Sequence, residues 1–516
     1  MNIPLDRRAD RSGRLPLAKQ IELHLERLIH QRLLAPGVKL PATRELARSL
    51  RVNRTTVASA YEELVSGGWA RAHVGQGTFV AARAPMPSPD GRAPAPARGL
   101  ATPRLDWTGM LSKGAQLAAA EVRRRQIYQV GLGPGVISFA GGMPDSALFP
   151  TDAFRRVLNG VLRTEGRDVL QYHSAAGYRP LREYLAGYLL RFGVEARAEE
   201  VLIVNGSQQG FDLVARTLVD PGDMVAMEDP SYPRAVQVFR ALGSQLLPVP
   251  MNGSGMDQGY LERVIARQTP KLLYCQPTAH NPTGLTMDRS ARQELVDLCA
   301  RHRVPIVEDG FDGAPYYGER APVPLKALDA SGGVIYIGTF SKILFPGLRL
   351  GWIVAPVELV ERLETAKQLT DIHTSPLIQA AVCHFCERRL LDRHQARLYR
   401  EYSRRREALL GALREAMPAG VRWTEPAGGF SLLLTLPEGM DAAGLLPHAI
   451  GQGVAFTPGT AFFIDGGGEG TLRLSFSAIP ATLIPEGVRR LGAVIRDGAR
   501  QPERPSASRD SAVPLV

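Results

Sequence analysis

An alternation limits this chain's fold more than any other feature. Between Asp106 and Arg500, short apolar runs recur between longer stretches with helical spacing. The runs are Val201–Val204, Met224–Met227, Gln245–Val249, Leu272–Cys275, Pro305–Val307, Val334–Ile337 and Trp352–Val354. They are mainly apolar without strict alternation, which predicts strands covered on both faces. Strands alternating with helices imply an α/β fold, a mainly parallel sheet wrapped by helices. Polar motifs follow the carboxyl ends of these runs, where ligands of open α/β sheets bind. Core packing gives no reason for that placement.

One of these ends carries a lysine. The stretch Val334 to Val354 reads VIYIGTFSKILFPGLRLGWIV. An apolar run ends in the turn Gly338-Thr339-Phe340-Ser341, Lys342 follows, and Arg349 stands before the next apolar run. A lysine held between buried strands can be desolvated, which lowers its pKa toward a nucleophilic amine, the competing reading being a Lys-Arg pair on an exposed loop. Such an amine can form a Schiff base with an aldehyde cofactor. Thr339, Ser341 and Arg349 offer a phosphate two hydroxyls and a fixed cation. After Val204 comes Asn205-Gly206-Ser207-Gln208-Gln209 and then a helix. A glycine, a hydroxyl and a helix N-terminus make an anion site, so Ser207 and Gln208 are candidate phosphate ligands.

The beginning of the chain has a different character. The formal net charge is +11, and residues 1–83 hold 14 Lys/Arg against 7 Asp/Glu. Residues 84–105 add three Arg and one Asp, which leaves about +2 for the remaining 411 residues. Charge concentrated in a small piece implies a polyanionic partner for that piece. Ile21, Leu25, Leu28 and Ile29 have helical spacing, and Pro36-Gly37 ends that segment. A second short helix over Arg44 to Leu50 and a third over Arg54 to Ser66 flank the turn Arg51-Val52-Asn53, with Asn53 as N-cap. This is a helix-turn-helix, whose second member would lead into a DNA major groove with Arg54, Thr55 and Thr56. Arg44 belongs to the same candidate surface. Trp69 to Val80 reads as a hairpin with the tip His73-Val74-Gly75-Gln76-Gly77, whose glycines allow close approach to a phosphate backbone or minor groove. The competing reading of this piece is a small protein–protein module.

Residues 84–105 are rich in proline and alanine and read as a semi-extended linker. Residues 501–516 read as a disordered tail. No run reaches the ~18 apolar residues of a membrane span, and the N-terminus has no apolar signal core. Only four cysteines occur in 516 residues, which fits a reducing cytoplasm. Cys383 and Cys386 form a single CxxC, and zinc normally needs a second ligand pair, so no metal site is expected.

The lysine string resembles the pyridoxal-phosphate signature of fold-type I aminotransferases, and LPATRELARSL, VNRTTVASAYEELVSGGW and GQGTFV resemble GntR-type winged helices. Together they resemble the MocR/GabR-type regulators over nearly the whole chain. The resemblance implies a winged helix over 1–83, a linker over 84–105 and a pyridoxal-phosphate domain over 106–500. It makes Lys342 the residue that carries the cofactor by aldimine chemistry. Tyr232 would stack on the pyridine ring, Asn281 would reach its O3′, and Asp309 would pair with the pyridinium. Arg473 and Arg234 would meet the effector, with Arg473 gripping a carboxylate. Tyr172 would reach the phosphate of a neighbouring subunit, which implies a homodimer. One departure is visible. The regulators usually have a second Asp and a Tyr after the pyridinium aspartate, and here Gly310 and Phe311 stand there. The phenol expected near O3′ is therefore missing.

Two functions follow from these residues. One is a cytoplasmic transcriptional regulator that binds a double-stranded DNA operator and senses an amino acid-like effector, or pyridoxal phosphate itself. The other is a working aminotransferase with an accessory DNA-binding domain.

Overall fold

A computed structural model of the chain describes residues 16–30, 34–50, 52–73, 77–81, 105, 107, 109–124, 133, 135–310, 315–318 and 322–500. The chain divides into two compact units, Met1–Leu105 and Asp106–Val516.

The first unit has three helices, α1 (Leu17–His30), α2 (Thr43–Leu50) and α3 (Arg54–Ser66), followed by β1 (Ala70–His73) and β2 (Gly77–Val80). Ile21, Leu25 and Leu28 of α1 pack against Val57, Ala60, Tyr61 and Leu64 of α3 in one buried cluster that also takes in Leu40 and Leu46. The Asn53 side chain accepts from Thr55 N at 3.2 Å and caps α3. Such a cap is worth about 1 kcal/mol. β1 and β2 pair antiparallel. Backbone bonds from Leu40 N to Thr78 O and from Val80 N to Val38 O add a third extended segment, which the sequence reading did not include.

The second unit is built on a large mixed sheet. Its strands are β3 (Val201–Val204), β4 (Met224–Asp229), β5 (Gln245–Asn252), β6 (Leu272–Cys275), β7 (Ile306–Asp309), β8 (Val334–Thr339) and β9 (Gly351–Val354). The spatial order is β3-β9-β8-β7-β6-β4-β5, closed by the short strand Gly255–Met256. β4 to β8 run parallel in the central ladder, whereas β9 is antiparallel to both β8 and β3. Several strands run past their apolar segments. Asp229 still pairs with Pro250 and Asp309 with Ile337, because a ladder partner fixes the backbone whatever the side chain. The expected motif ends thus begin inside the sheet, and their carboxylates are held rigidly.

Both faces of the sheet are covered, which explains the unbroken apolar runs. Phe211, Val214, Ile335 and Ile337 belong to one core, and Ile203, Tyr336, Trp352 and Phe385 to another. Helices α4 (Lys113–Arg124), α5 (Ser207–Leu218), α6 (Pro233–Ala241) and α7 (Val357–Asp371) belong to this part of the unit. The chain then crosses on α8 (Leu390–Ala416) to a smaller antiparallel sheet that contains β10 (Ser431–Thr435) and β11 (Thr471–Ser475), and it ends in α9 (Ile484–Arg500). No described helix is long and apolar enough to cross a membrane.

Candidate functional site

The carboxyl ends of β3, β4, β6, β7 and β8 bring the polar motifs of the second unit together. Lys342 stands in the turn after β8, and its Nζ donates to Gly142 O at 2.8 Å. Withdrawal from solvent is the main reason its amine titrates low, at about 8, and the nearby Arg473 and Arg349 push the same way. Asp309 opposes them. Its own carboxyl is pushed up to about 7 by burial, against hydrogen bonds that favour the charge. Those bonds come from the Tyr274 hydroxyl at 2.7 Å and the Gln276 amide at 2.5 Å, both on Oδ2. Gln276 also accepts from Asn281 N at 3.2 Å, so one side chain fixes two predicted site residues. Motif reading missed Tyr274 and Gln276. The available signal was a tyrosine inside a buried aliphatic strand and an amide directly after it.

Arg473 lies on β11 and is 8 % exposed. It donates to Asn281 Oδ1 at 3.2 Å, Ala140 O at 2.6 Å and Thr457 Oγ1 at 3.2 Å, with its guanidinium 5.0 Å from the centre of the Phe462 ring. Its Nε is buried without a partner among the described residues. Burial brings the guanidinium down to about 10. Tyr232 is half-buried at the start of α6, where burial and the charge of Asp309 push its phenol up to about 12, against the charges of Arg234, Arg473 and Arg349.

The turn before α5 has the features of an anion cradle. Gly206 caps the helix with φ +80°, and no side chain caps the first turn. Gln209 N already donates to Gly206 O at 3.1 Å, so the N–H groups of Ser207 and Gln208 are the ones suited to an anion. Ser207 and Gln208 open the helix. Arg349, itself at φ +50°, donates to Asn205 O at 3.2 Å. A Cβ on Gly206 would come within 2.7 Å of its guanidinium. Thr339 donates to Ser341 Oγ at 3.0 Å beside the lysine turn.

Two predicted residues stand apart. Arg234 is exposed on α6 and donates to Gln237 at 3.3 Å rather than joining the buried set. Tyr172 is 74 % exposed, with its ring edge-on to His373. Phe311 lies outside the described residues. A Cβ on Gly310 would strike the Tyr336 hydroxyl, so the Tyr336 ring fills the space that an aspartate would need. Tyr317 is committed elsewhere, donating to Gly429 O at 2.7 Å, and Tyr316 forms a bridge with Gly428. Cys383 and Cys386 are both buried on the helix Pro376–Glu387, and burial pushes the Cys383 thiol up to about 12.

In the first unit, Arg44, Arg54 and Thr55 are exposed and Thr56 is half-buried. Gly75 and Gln76 lie outside the described residues. Gly77 has φ +108°, and a Cβ there would press on Lys39, whose ammonium stands 5.8 Å from the Phe79 ring centre. Lys39 is a basic group on the wing that the motif reading passed over.

A phosphorylated aldehyde fits this set of groups. The uncapped helix start and Arg349 suit a phosphate, the lowered amine of Lys342 suits an aldehyde, and Asp309 suits a ring nitrogen.

Comparison with known proteins agrees with both halves. Residues 17–80 match the gntR family of bacterial regulatory proteins, and residues 134–491 match aminotransferase class I and II. The probable rhizopine catabolism regulatory protein MocR of Rhizobium meliloti is 32 % identical over 93 % of this chain and 94 % of its own. Aromatic-amino-acid aminotransferase 1 of Thermococcus litoralis is 36 % identical over 77 % of this chain and 97 % of its own. The structure of LysN, the alpha-aminoadipate aminotransferase of Thermus thermophilus, complexed with N-(5'-phosphopyridoxyl)-L-leucine, has a TM-score of 0.71. It is 38 % identical and covers 77 % of this chain and 99 % of its own. The cofactor of the second unit is pyridoxal phosphate, and the chain belongs to the MocR-type regulators, in which a GntR-type winged helix is fused to an aminotransferase class I and II domain.

Proposed function

We propose that this pyridoxal-phosphate-dependent transcriptional regulator reads a carboxylate-bearing amine at Lys342 and Arg473, and reports it to an operator bound by Arg44, Arg54, Thr55 and Thr56. The observation that carries the reading is the opposed tuning of Lys342 and Asp309 at adjacent strand ends, with Arg473 anchored beside them. Bound pyridoxal phosphate supplies an aldehyde that takes up amines and a ring that draws electrons from them. The chain's own groups divide the remaining work. Lys342 offers an amine that gives up its proton at about pH 8, well below an ordinary lysine. Asp309 holds a proton at the ring nitrogen, steadied by Tyr274 and Gln276. Asn281 donates to the ring oxygen, and Tyr232 covers the ring. Ser207, Gln208, Thr339, Ser341 and Arg349 hold the phosphate. Arg473 turns its unpartnered Nε to the effector's carboxylate. Arg234 is exposed and contributes at the rim of the pocket. Tyr172, unpartnered by the buried set, reaches the phosphate of a second copy, so the working form is a homodimer. A cytoplasmic location fits a protein that binds an operator.

Borohydride reduction of the yellow protein followed by peptide mapping tests the cofactor assignment, with the label expected on Lys342 alone. An effector screen by visible absorption tests the sensor. Amino acids should shift the spectrum more strongly than simple amines, and an equal response from both would remove the role of Arg473. A second reading, a working aminotransferase, is favoured by the complete Lys342, Asp309 and Arg473 set. Steady-state turnover with a panel of amino donors decides between the two.

A further inference from the structure

Behind the turn Asn205-Gly206-Ser207 lies a second polar cluster that no motif announces. Its centre is Asp371, the last residue of α7. Asp371 Oδ1 accepts from Lys367 Nζ, one turn earlier, at 2.6 Å. The Lys367 side chain is fully buried. Asp371 Oδ2 accepts from the Asn205 side-chain amide and from the Gln209 amide, the latter at 2.7 Å. Gln209 in turn accepts from Asn205 N at 2.7 Å. The end of β3, the first turn of α5 and the end of α7 thus meet on one carboxylate.

Packing alone does not call for this arrangement. A buried ion pair is costly to desolvate, and well-packed apolar side chains often serve stability as well or better. The residues it fixes are specific. Asn205 and Gln209 flank Gly206, Ser207 and Gln208, and Asn205 O also takes the Arg349 guanidinium. Holding them sets the left-handed Gly206 and the orientation of the free N–H groups before any ligand arrives. Pre-set donors bind an anion more tightly than donors that must first be ordered. The charge balance points the same way. A bare carboxylate behind a phosphate site would repel the ligand. Lys367 cancels that charge and leaves the oxygens free to act as acceptors.

We infer that Asp371, neutralised by Lys367, is a positioning residue that pre-sets the Asn205–Gln208 turn for the cofactor phosphate. The inference rests on the reading of that turn as the phosphate site. It concerns the phosphate alone, so the readout is the ratio of two affinities. Apo full-length protein is titrated with pyridoxal phosphate and, separately, with pyridoxal, which lacks the phosphate. Asp371→Asn and Asn205→Ala should weaken pyridoxal phosphate binding by about tenfold, the loss of one charge-assisted hydrogen bond. Pyridoxal binding should stay within about twofold. Asn205→Ala leaves the Lys367–Asp371 pair intact, so it decides the matter if Asp371→Asn does not fold. Ser207→Ala separates the two ideas. If Ser207→Ala lowers the ratio and neither of the other variants does, the turn holds the phosphate but Asp371 does not position it. A ratio unmoved by Ser207→Ala, Asp371→Asn and Asn205→Ala alike removes the turn and the inference together. An equal loss for both ligands in Asp371→Asn and Asn205→Ala makes Asp371 a packing residue and overturns the inference.

Discussion

The Tyr274 hydroxyl donates to Asp309 Oδ2 at 2.7 Å, and both side chains are buried. The bond stabilises the ionised carboxylate against burial, which pushes the group up to about 7. A hydrogen bond to a charged group is worth about 1.5–3 kcal/mol, and one pKa unit is about 1.4 kcal/mol. Tyr274→Phe should therefore raise the Asp309 pKa by roughly one to two units. The cofactor's ring nitrogen needs the ionised form. Cofactor affinity, titrated between pH 6 and 9, should rise around pH 7 in the wild type and at correspondingly higher pH in the variant. An unmoved midpoint would mean that the hydroxyl does not support the charge.

Lys342 gives a second pH effect, in which burial moves the pKa down rather than up. Its folded-state pKa is about 8, below the ordinary 10.5. Between those values the unfolded chain binds the extra proton, so for this group the stability of the apo-protein rises with pH across that window. Lys342→Met removes the contribution. The melting temperature of the apo variant should exceed that of the wild type most below pH 8, and the gap should close toward pH 10.5. A gap that is constant from pH 7 to 10.5 would show that the amine is not desolvated.

Much of this architecture was legible in the chain, for identifiable reasons. Val201–Val204 and Leu272–Cys275 form as strands with the expected ends, because unbroken apolar runs have one good solution in a covered sheet. Lys342, Asp309, Asn281 and Arg473 come together because their motifs follow or end parallel strands, or lie on the neighbouring small sheet. The orientation of β9 was not legible, since an apolar run carries no direction. Gln276 and Asp371 were not legible either. Their roles arise from contacts 33 residues away in one case and 166 in the other, and no local pattern encodes such pairs.

The winged helix should be separable from the cofactor site. Arg54 is exposed at the start of α3, where Asn53 fixes the helix end. Arg54→Ala should weaken operator binding by roughly 1–3 kcal/mol, about 5- to 150-fold, at fixed salt, with the visible spectrum unchanged. Asn53→Ala should instead lower the stability of the first unit by about 1 kcal/mol. Unchanged affinity in Arg54→Ala would move the groove contact elsewhere.

Gly206→Ala probes the anion cradle directly. The residue has φ +80°, and the added methyl would lie 2.7 Å from the Arg349 guanidinium. Left-handed backbone at a non-glycine residue costs about 1 kcal/mol or more. The turn should open and Arg349 should withdraw. Pyridoxal phosphate affinity is expected to fall by at least about tenfold, while borohydride still labels Lys342 at saturating cofactor. Full affinity in the variant would place the phosphate elsewhere.

The departure at Gly310 leads to a test of complementarity. A Cβ there would overlap the Tyr336 hydroxyl and the adjoining ring carbons, closer than any real Cβ approaches. Tyr336 cannot yield, because it is fully buried in the middle of β8 with Ile203, Phe340 and Trp352 in the same cluster. Its hydroxyl has no partner among the described residues, so the ring is placed by shape rather than by a hydrogen bond. The absence of an aspartate at 310 and the presence of Tyr336 are two halves of one packing solution. Gly310→Ala alone should destabilise the second unit by roughly 1–3 kcal/mol, the usual cost of overpacking. Tyr336→Ala alone should cost about 3–5 kcal/mol through the cavity it leaves. The double variant should be more stable than the sum of the two single losses implies, because the methyl then enters space already vacated. Urea unfolding of the four proteins measures the coupling. Strict additivity would show that the two residues do not share the space.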